Sequence, residues 1–181
     1  MAKIDTLGSP LAASAAIRAP RQFLTFRLEQ ELFAIPIGNI REIIEFSSIT
    51  EIPMMPPFLR GVINLRGAVV PVIDLSARFG RAPTSIGKRT CIVIVELEQD
   101  EQVHALGIMV DAVNEVLDVE DSQIEAAPNF GAKLRADFIE GMINIAERFV
   151  IALNIRQVLS VEEMAELICL VNQEPQGETV G

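Results

Sequence analysis

Two short apolar runs in the first half of the chain follow the pattern expected of paired β-strands. They cover residues 62–65 and 68–73, and only Arg66 and Gly67 stand between them. A two-residue hairpin turn needs positive φ angles, which glycine adopts without steric cost, so we expect Gly67 to supply this conformation. The pattern therefore predicts a β-hairpin within 58–75 whose corner exposes the Arg66 side chain to solvent.

The same pattern returns 80 residues later, over 138–155, with Ala146 and Glu147 at the corner in place of Arg66 and Gly67. A second block, residues 32–37, matches residues 105–110 at an offset of 73. Two copies of one supersecondary unit therefore make up most of the chain. The residues shared by the two hairpins are Phe58/Phe138, Gly61/Gly141, Ile63/Ile143, Asn64/Asn144 and Val70/Val150, and the offset of 73 aligns Ile40, Glu42 and Ile43 with Val113, Glu115 and Val116.

Short strands, regular turn signals and few helical patterns indicate an all-β fold with a few short helices. Closing small sheets removes their exposed edges, so two copies predict two barrels related by pseudo-symmetry. We expect the first barrel mainly from residues 21–80 and the second mainly from 88–159, with strands exchanged between them. Ser160 and Glu163 form the capping-box pattern of a C-terminal helix. Residues 1–20 are expected to form a flexible leader, and 169–181 the helix end and a loose tail.

Charge and composition exclude some function classes. The chain has 181 residues, with 15 basic and 25 acidic side chains and a net charge of −10. Nucleic-acid binding needs a basic face, and phosphate repulsion argues against it here. No apolar run is long enough to cross a bilayer, so no direct membrane insertion is expected.

Catalytic chemistry has little support in the sequence. The single histidine, His104, starts a predicted strand, and no nucleophile or acidic partner set can be assembled around it. No Cys/His cluster has the spacing of zinc ligands, and no glycine-rich loop opens a helix to hold phosphate. The sequence therefore predicts a protein that is not an enzyme, without a catalytic residue, metal site or cofactor.

One surface residue remains as a candidate for partner binding. Arg66 stands at a hairpin corner, beside a glycine that allows a partner's backbone to come close. Arginine is also enriched in protein interfaces. Glu42 lies in an apolar strand of the same copy, so Arg66 is expected to bond either to a partner or to Glu42.

The first hairpin carries a family signature. Residues 58–75 contain Asn64-Leu65-Arg66-Gly67 followed by Pro71 and Asp74-Leu75, and this segment resembles CheW-like domains. Residues 106–116 resemble the family's second strongest block, and 160–164 fit the end of stand-alone members. The resemblance covers about residues 20–168.

The resemblance implies a fold and a function. The fold would be two intertwined, five-stranded SH3-like barrels. The function would be that of a cytoplasmic, non-enzymatic adaptor in chemotaxis, located at membrane-associated receptor arrays. It would link the cytoplasmic tips of methyl-accepting chemoreceptors to the regulatory domain of the histidine kinase CheA.

Three alternatives to the chemotaxis adaptor stay open. They are a small-molecule-binding β-barrel module, an enzyme accessory subunit, and the coupling subunit of a parallel chemosensory pathway such as twitching motility.

Two sets of contact residues also follow from the resemblance. The implied receptor-binding residues are Ile40, Glu42, Ile43, Gly61, Arg66, Gly67 and Val69, and the implied kinase-binding residues are Glu125, Asn129 and Phe130.

Overall fold

The computed structural model of the chain describes residues 20–99, 101–126 and 136–159. This part of the chain is mainly β-strand, with two four-residue helices and three 3-10 turns, so the predicted all-β class is confirmed. The expected leader up to residue 19, the helix predicted from Ser160 and the tail at 169–181 lie outside the described residues. The strands are β1 (Arg21–Leu28), β2 (Glu31–Pro36), β3 (Ile40–Glu45), β4 (Leu59–Leu65), β5 (Ala68–Asp74), β6 (Cys91–Gln99), β7 (Gln102–Val110), β8 (Ala112–Val119), β9 (Ile124–Glu125), β10 (Ile139–Ile145) and β11 (Arg148–Leu153). The helices are α1 (Leu75–Arg78) and α2 (Ile155–Val158), and the 3-10 turns cover Ile37–Asn39, Asp121–Gln123 and Ala136–Phe138.

The strands form two sheets. One sheet has six strands in the order β9–β10–β11–β2–β1–β8, and the other has five in the order β3–β6–β7–β5–β4. Neighbouring strands are antiparallel except for β11 with β2 and β5 with β7, which are parallel. The two parallel pairs join strands that are far apart in the sequence.

The strand order mixes strands from residues 21–80 with strands from residues 88–159 in both sheets. Strands β1 and β2 lie in the sheet of the second hairpin, and β6 and β7 lie in the sheet of the first. The exchange therefore involves two strands from each copy. A parallel pair cannot be closed by a tight turn, so its partners come from distant parts of the chain and leave no local sequence signal.

The predicted repeat is confirmed by the strand register. Val72 pairs with Gly107 in one sheet, and Ala152 pairs with Ala34 at the equivalent position of the other. Both hairpins also contain a β-bulge at the same place, between residues 59 and 61 and between 139 and 141. The two sheets are therefore pseudo-symmetric copies. Closure of each sheet into a barrel stays a prediction.

Among the described residues, buried apolar side chains form three clusters. The largest draws residues from both sheets and lies between them, and it contains a chain of ring contacts from Phe26 through Phe33 and Phe79 to Phe138. The second draws only on the six-stranded sheet, and the third only on the five-stranded sheet. Each sheet is therefore apolar on both faces, which holds the exchanged strands in place. The buried members of the second cluster are Phe23, Ala34, Val119, Ile143, Val150 and Ala152, and those of the third are Val70, Val72, Ile92, Ile94 and Met109.

The corner of the first hairpin uses two residues with positive φ. Arg66 has φ 53° and Gly67 has φ 90°, so Arg66 shares the conformation that was expected of Gly67 alone. Ala146 and Glu147 have φ 50° and 65°, so the second hairpin makes a similar turn without glycine. Two positive φ angles match the twist of the flanking strands.

Candidate protein-binding surface

Arg66 forms a two-pronged ion pair with Glu42. The Arg66 Nη1 atom lies 2.5 Å from Glu42 Oε2, and its Nη2 atom lies 2.8 Å from Oε1. The Arg66 side chain is 65% exposed and the Glu42 side chain 23%. The planar guanidinium matches the carboxylate, which fixes the direction of the arginine side chain. The pair therefore presents an oriented positive charge at the hairpin corner.

The pair changes the acidity of both groups. The hydrogen bond from Arg66 lowers the pKa of Glu42 below its ordinary value of 4.5, and burial of the carboxylate opposes this. The positive charges of Arg66 and Arg41 lower the Glu42 pKa further. The hydrogen bond to Glu42 raises the pKa of Arg66. Both groups are therefore ionised at neutral pH.

The strand register shows which face of β3 each predicted contact residue occupies. Ile40 pairs with Val95 and Ile43 with Val93, and both valines belong to the cluster between the sheets. Directly paired residues project from the same face of a sheet. Ile40 and Ile43 therefore face the inter-sheet side.

Glu42 occupies the other face of β3. It pairs with Ile94, which belongs to the cluster of the five-stranded sheet alone. The ion pair thus lies on the opposite side of β3 from Ile40 and Ile43.

Exposure separates the predicted receptor residues into two groups. Ile43 and Val69 are large apolar residues with 42% and 44% of their surface exposed, and Gly67 is also exposed. Together with Arg66 and Glu42 they form what we call the corner surface. A partner contact by any of these residues stays a prediction.

Ile40 and Gly61 are not part of the corner surface. Ile40 is half-buried and packs against the inter-sheet cluster. Gly61 is buried with φ 147°, and a Cβ atom there would lie 2.2 Å from the Thr50 carbonyl oxygen. Gly61 therefore allows the segment around Thr50 to pair with β4, where Thr50 and Val62 exchange two backbone hydrogen bonds.

The structure describes one of the three predicted kinase-binding residues. Glu125 is exposed on β9, and its Oε2 atom accepts a hydrogen bond of 3.3 Å from Asn144 Nδ2. Asn129 and Phe130 lie outside the described residues. The grouping of these three residues therefore stays a prediction.

Sequence reasoning missed an equivalent surface on the second copy. Val116 and Phe149 occupy the positions of Ile43 and Val69, and they are 49% and 53% exposed. Glu115 corresponds to Glu42, but Ala146 replaces the arginine. The repeat alignment could have indicated this surface, because it aligns Ile43 with Val116. The two copies thus differ at the corner, where Ala146 and Glu147 stand in place of Arg66 and Gly67.

The described residues contain no group of three or more side chains of the types that could hold a metal ion. In the same part of the chain, no helix is long and apolar enough to cross a membrane.

Comparisons with known proteins all relate this chain to CheW-like proteins. A profile of the CheW-like domain matches residues 22–163. The chain is 36% identical to the chemotaxis protein CheW of Klebsiella aerogenes over 145 residues, covering 80% of this chain and 85% of that protein. It is 32% identical to the probable chemotaxis protein CheW of Rhizobium etli over 152 residues, covering 84% and 96% respectively.

A solved structure agrees with the sequence comparisons. The scaffolding protein TtCheW from Thermoanaerobacter tengcongensis is similar to this chain with a TM-score of 0.70 and 34% sequence identity. The similarity covers 78% of this chain and 94% of that protein. Proteins of this family are scaffold and adaptor proteins of chemotaxis and not enzymes. On these matches, together with the duplicated hairpins and their exchanged strands, the chain belongs to the CheW-like domain family.

Proposed function

We propose that this protein couples chemoreceptors to the histidine kinase CheA as a non-enzymatic adaptor. The observation that carries the proposal is the corner surface, where the Arg66–Glu42 pair shares the hairpin and strand β3 with the exposed Val69 and Ile43. The second copy has the apolar residues without the arginine, so of the two copies the first alone combines apolar area with an oriented positive charge. An adaptor needs distinct surfaces to hold two partners at once.

The corner surface suits the helical tip of a receptor. Ile43 and Val69 supply apolar area, and Arg66 supplies an oriented charge. A helix that docks into such a surface gains affinity from apolar burial and orientation from the charged group. The cytoplasmic tip of a methyl-accepting chemoreceptor is the partner we assign to it.

The kinase would bind elsewhere, through Glu125 and the neighbouring Asn129 and Phe130. An exposed aromatic residue at the centre of an interface can contribute about 2 kcal/mol or more to binding. The regulatory domain of CheA is the partner we assign to these residues. With receptor tips and kinase as partners, the protein would work in the cytoplasm at membrane-associated receptor arrays.

A reconstitution experiment tests both halves of the proposal. Purified protein is titrated separately with a CheA regulatory domain and with a receptor cytoplasmic fragment, and kinase activity is measured in the three-component mixture. We expect binding to each partner with a dissociation constant of roughly tens of micromolar or tighter.

Two variants assign the surfaces. Arg66→Glu should lose receptor binding and keep kinase binding, while Phe130→Ser should do the reverse. Absence of association with the CheA domain, or loss of both activities in both variants, would contradict the adaptor assignment.

A further inference from the structure

Arg78 lies where the two copies meet, at the end of the short helix α1. Its Nε atom donates a hydrogen bond of 2.7 Å to the carbonyl oxygen of Val158, the last residue of α2. Helix α1 follows β5 of the five-stranded sheet, and α2 follows β11 of the six-stranded sheet. The bond therefore joins the two sheets by way of their helices.

The guanidinium group of Arg78 also lies over two phenylalanine rings that the repeat relates to each other. Its central carbon is 4.8 Å from the centre of the Phe58 ring and 5.4 Å from the centre of the Phe138 ring. Phe58 directly precedes β4 and Phe138 directly precedes β10, so each ring marks the start of one hairpin. A cation over an aromatic face is attracted by the electrons of the ring. Arg78 thus contacts the base of both hairpins.

The contact is supplied by one copy only. The repeat places Val158 at the position equivalent to Arg78, 80 residues further on, and Val158 is fully buried. A second arginine there would bury a positive charge beside the first, which is unfavourable. The first copy therefore provides the cation, and the second copy provides the carbonyl group and one of the two rings.

The two hairpins are anchored differently outside this contact. Asp74, at the end of the first hairpin, is fully buried and forms an ion pair of 2.7 Å with Arg60. Its equivalent in the second copy, Asn154, caps α2 but is uncharged and forms no ion pair. Loss of the Arg78 contacts should therefore loosen the second hairpin more than the first.

The second hairpin also holds one of the residues assigned to kinase binding. Strand β10 begins directly after Phe138 and pairs with β9, where Glu125 lies opposite Met142. We propose that Arg78 is a positioning residue for kinase binding, which holds the second hairpin, and with it Glu125, in place against the first copy. The part of this inference that concerns the kinase rests on the proposed function. The holding of the hairpin can be tested in the chain alone.

Amide hydrogen exchange measures the holding of the hairpin without any partner. Arg78→Met keeps an unbranched side chain beside the two rings but removes the charge and the hydrogen-bond donor. We expect exchange in β10 and α2 to become about tenfold faster or more, because a charge-assisted hydrogen bond is lost. Exchange in β4 and β5 should stay near wild type. A residue that acts only on overall stability would instead speed exchange in both hairpins alike.

Two further variants assign the effect to the contacts of Arg78. Arg156→Met is the matched control, because Arg156 lies in the equivalent one-turn helix but is exposed, and its Nη1 atom is 3.5 Å from the Glu98 carbonyl oxygen in the other sheet. Its exchange rates should match the wild type in both hairpins. Arg78→Lys retains a cation and a donor, so it should recover part of the protection lost in Arg78→Met.

Binding measurements connect the hairpin to the kinase. Arg78→Met should bind a CheA regulatory domain about tenfold more weakly than the wild type, because Glu125 is no longer held in place. It should bind a receptor fragment as the wild type does, since Val69 of the corner surface lies near the start of β5 and Arg78 lies beyond its end.

Several results would overturn the positioning role. They are unchanged exchange in Arg78→Met, equal acceleration in both hairpins, the same acceleration in Arg156→Met, or wild-type kinase binding by Arg78→Met. Each of these outcomes leaves the adaptor function intact. Failure of the wild type to bind the kinase would instead count against the adaptor function, and the exchange rates would still decide whether Arg78 holds the hairpin.

Discussion

Arg66 and Glu42 join the two outer strands of the five-stranded sheet. Glu42 lies on β3 at one edge, and Arg66 follows β4 at the other, 2.5 Å away at the closest atoms. The same edges approach again where Thr50, beyond β3, pairs with Val62 on β4. The ion pair is thus formed in the chain without any partner. A receptor would meet an arginine whose direction is already fixed, and ordering it would cost little on binding.

The first prediction concerns the sign of the charge at position 66. Arg66→Glu should weaken receptor binding by roughly tenfold or more, because it removes a charge-assisted hydrogen bond and places two carboxylates together. The melting temperature and kinase binding should stay near wild type, because the pair is at the surface. Titration calorimetry with a receptor fragment and thermal unfolding measure both.

The exchanged pair Glu42→Arg/Arg66→Glu provides the control. It restores an ion pair between the same positions with the charges reversed. If receptors recognise the positive charge at position 66, this double variant should remain defective. Full recovery of receptor binding would mean that the pair acts only by holding the hairpin corner.

The second prediction concerns the titration of Glu42. Its pKa is lowered in the folded chain by the hydrogen bond from Arg66. The stabilisation from the pair is therefore present above the ordinary value of 4.5 and is lost as the pH falls through the lower, folded-state pKa. An NMR titration of the Glu42 carboxyl carbon should give a midpoint below 4.5.

Removing the arginine should reverse this shift. In Arg66→Gln the midpoint should rise toward the ordinary value, because neither the charge nor the two-pronged bond remains. Identical midpoints in the two proteins would show that the pair does not persist in solution. Above the ordinary pKa the pair should stay ionised and insensitive to pH.

The local elements of this architecture could be predicted from the sequence, but the pairing of strands distant in sequence could not. The hairpin within 58–75 and its repeat were predictable, because strand alternation and turn residues act over a few positions. The pairing of β7 with β5 was not, since a parallel pair needs no residue type of its own.

In the corner surface, too, local features could be predicted and longer-range ones could not. The exposure of Arg66 followed from the turn, and Glu42 was one of its two expected partners. The grouping of the apolar residues was less accurate. Alternation alone puts Ile40 and Glu42 on the same face, but the bulge between them turns Ile40 to the face of Ile43. A bulge of this kind cannot be counted from the alternation of residues.

The third prediction separates two glycines that the hairpin uses differently. Gly61→Ala should lower the free energy of unfolding by more than about 1 kcal/mol, because its Cβ would lie 2.2 Å from the Thr50 carbonyl oxygen. A Cβ atom at position 67 would have no other atom within 4 Å, so Gly67→Ala introduces only the backbone strain of φ 90°. Its loss of unfolding free energy should therefore be smaller. Urea unfolding of both variants gives the comparison. Equal costs would mean that the Thr50 segment moves away without penalty.

The fourth prediction concerns Asp74, which is fully buried at the end of β5. Its Oδ2 atom accepts from Arg60 Nη1 at 2.7 Å and from the Thr84 N–H at 2.8 Å, and its Oδ1 atom accepts from the Thr84 hydroxyl at 3.1 Å. It also caps α1 by accepting from the Ala77 N–H. Asp74 thereby holds the segment between the two copies against the first hairpin.

Asp74→Ala should therefore lower the free energy of unfolding by about 3 kcal/mol or more, because it leaves the Arg60 charge largely buried without its partner. Asn154→Ala is the matched control, since Asn154 caps α2 in the second copy without an ion pair, and it should cost only about 1 kcal/mol. Adding Arg60→Met to Asp74→Ala should recover part of the loss, because no unpaired charge then remains. Denaturant unfolding measures all three variants. If Asp74→Ala cost no more than Asn154→Ala, or if Arg60→Met made the loss larger, the buried ion pair would not be what anchors this segment.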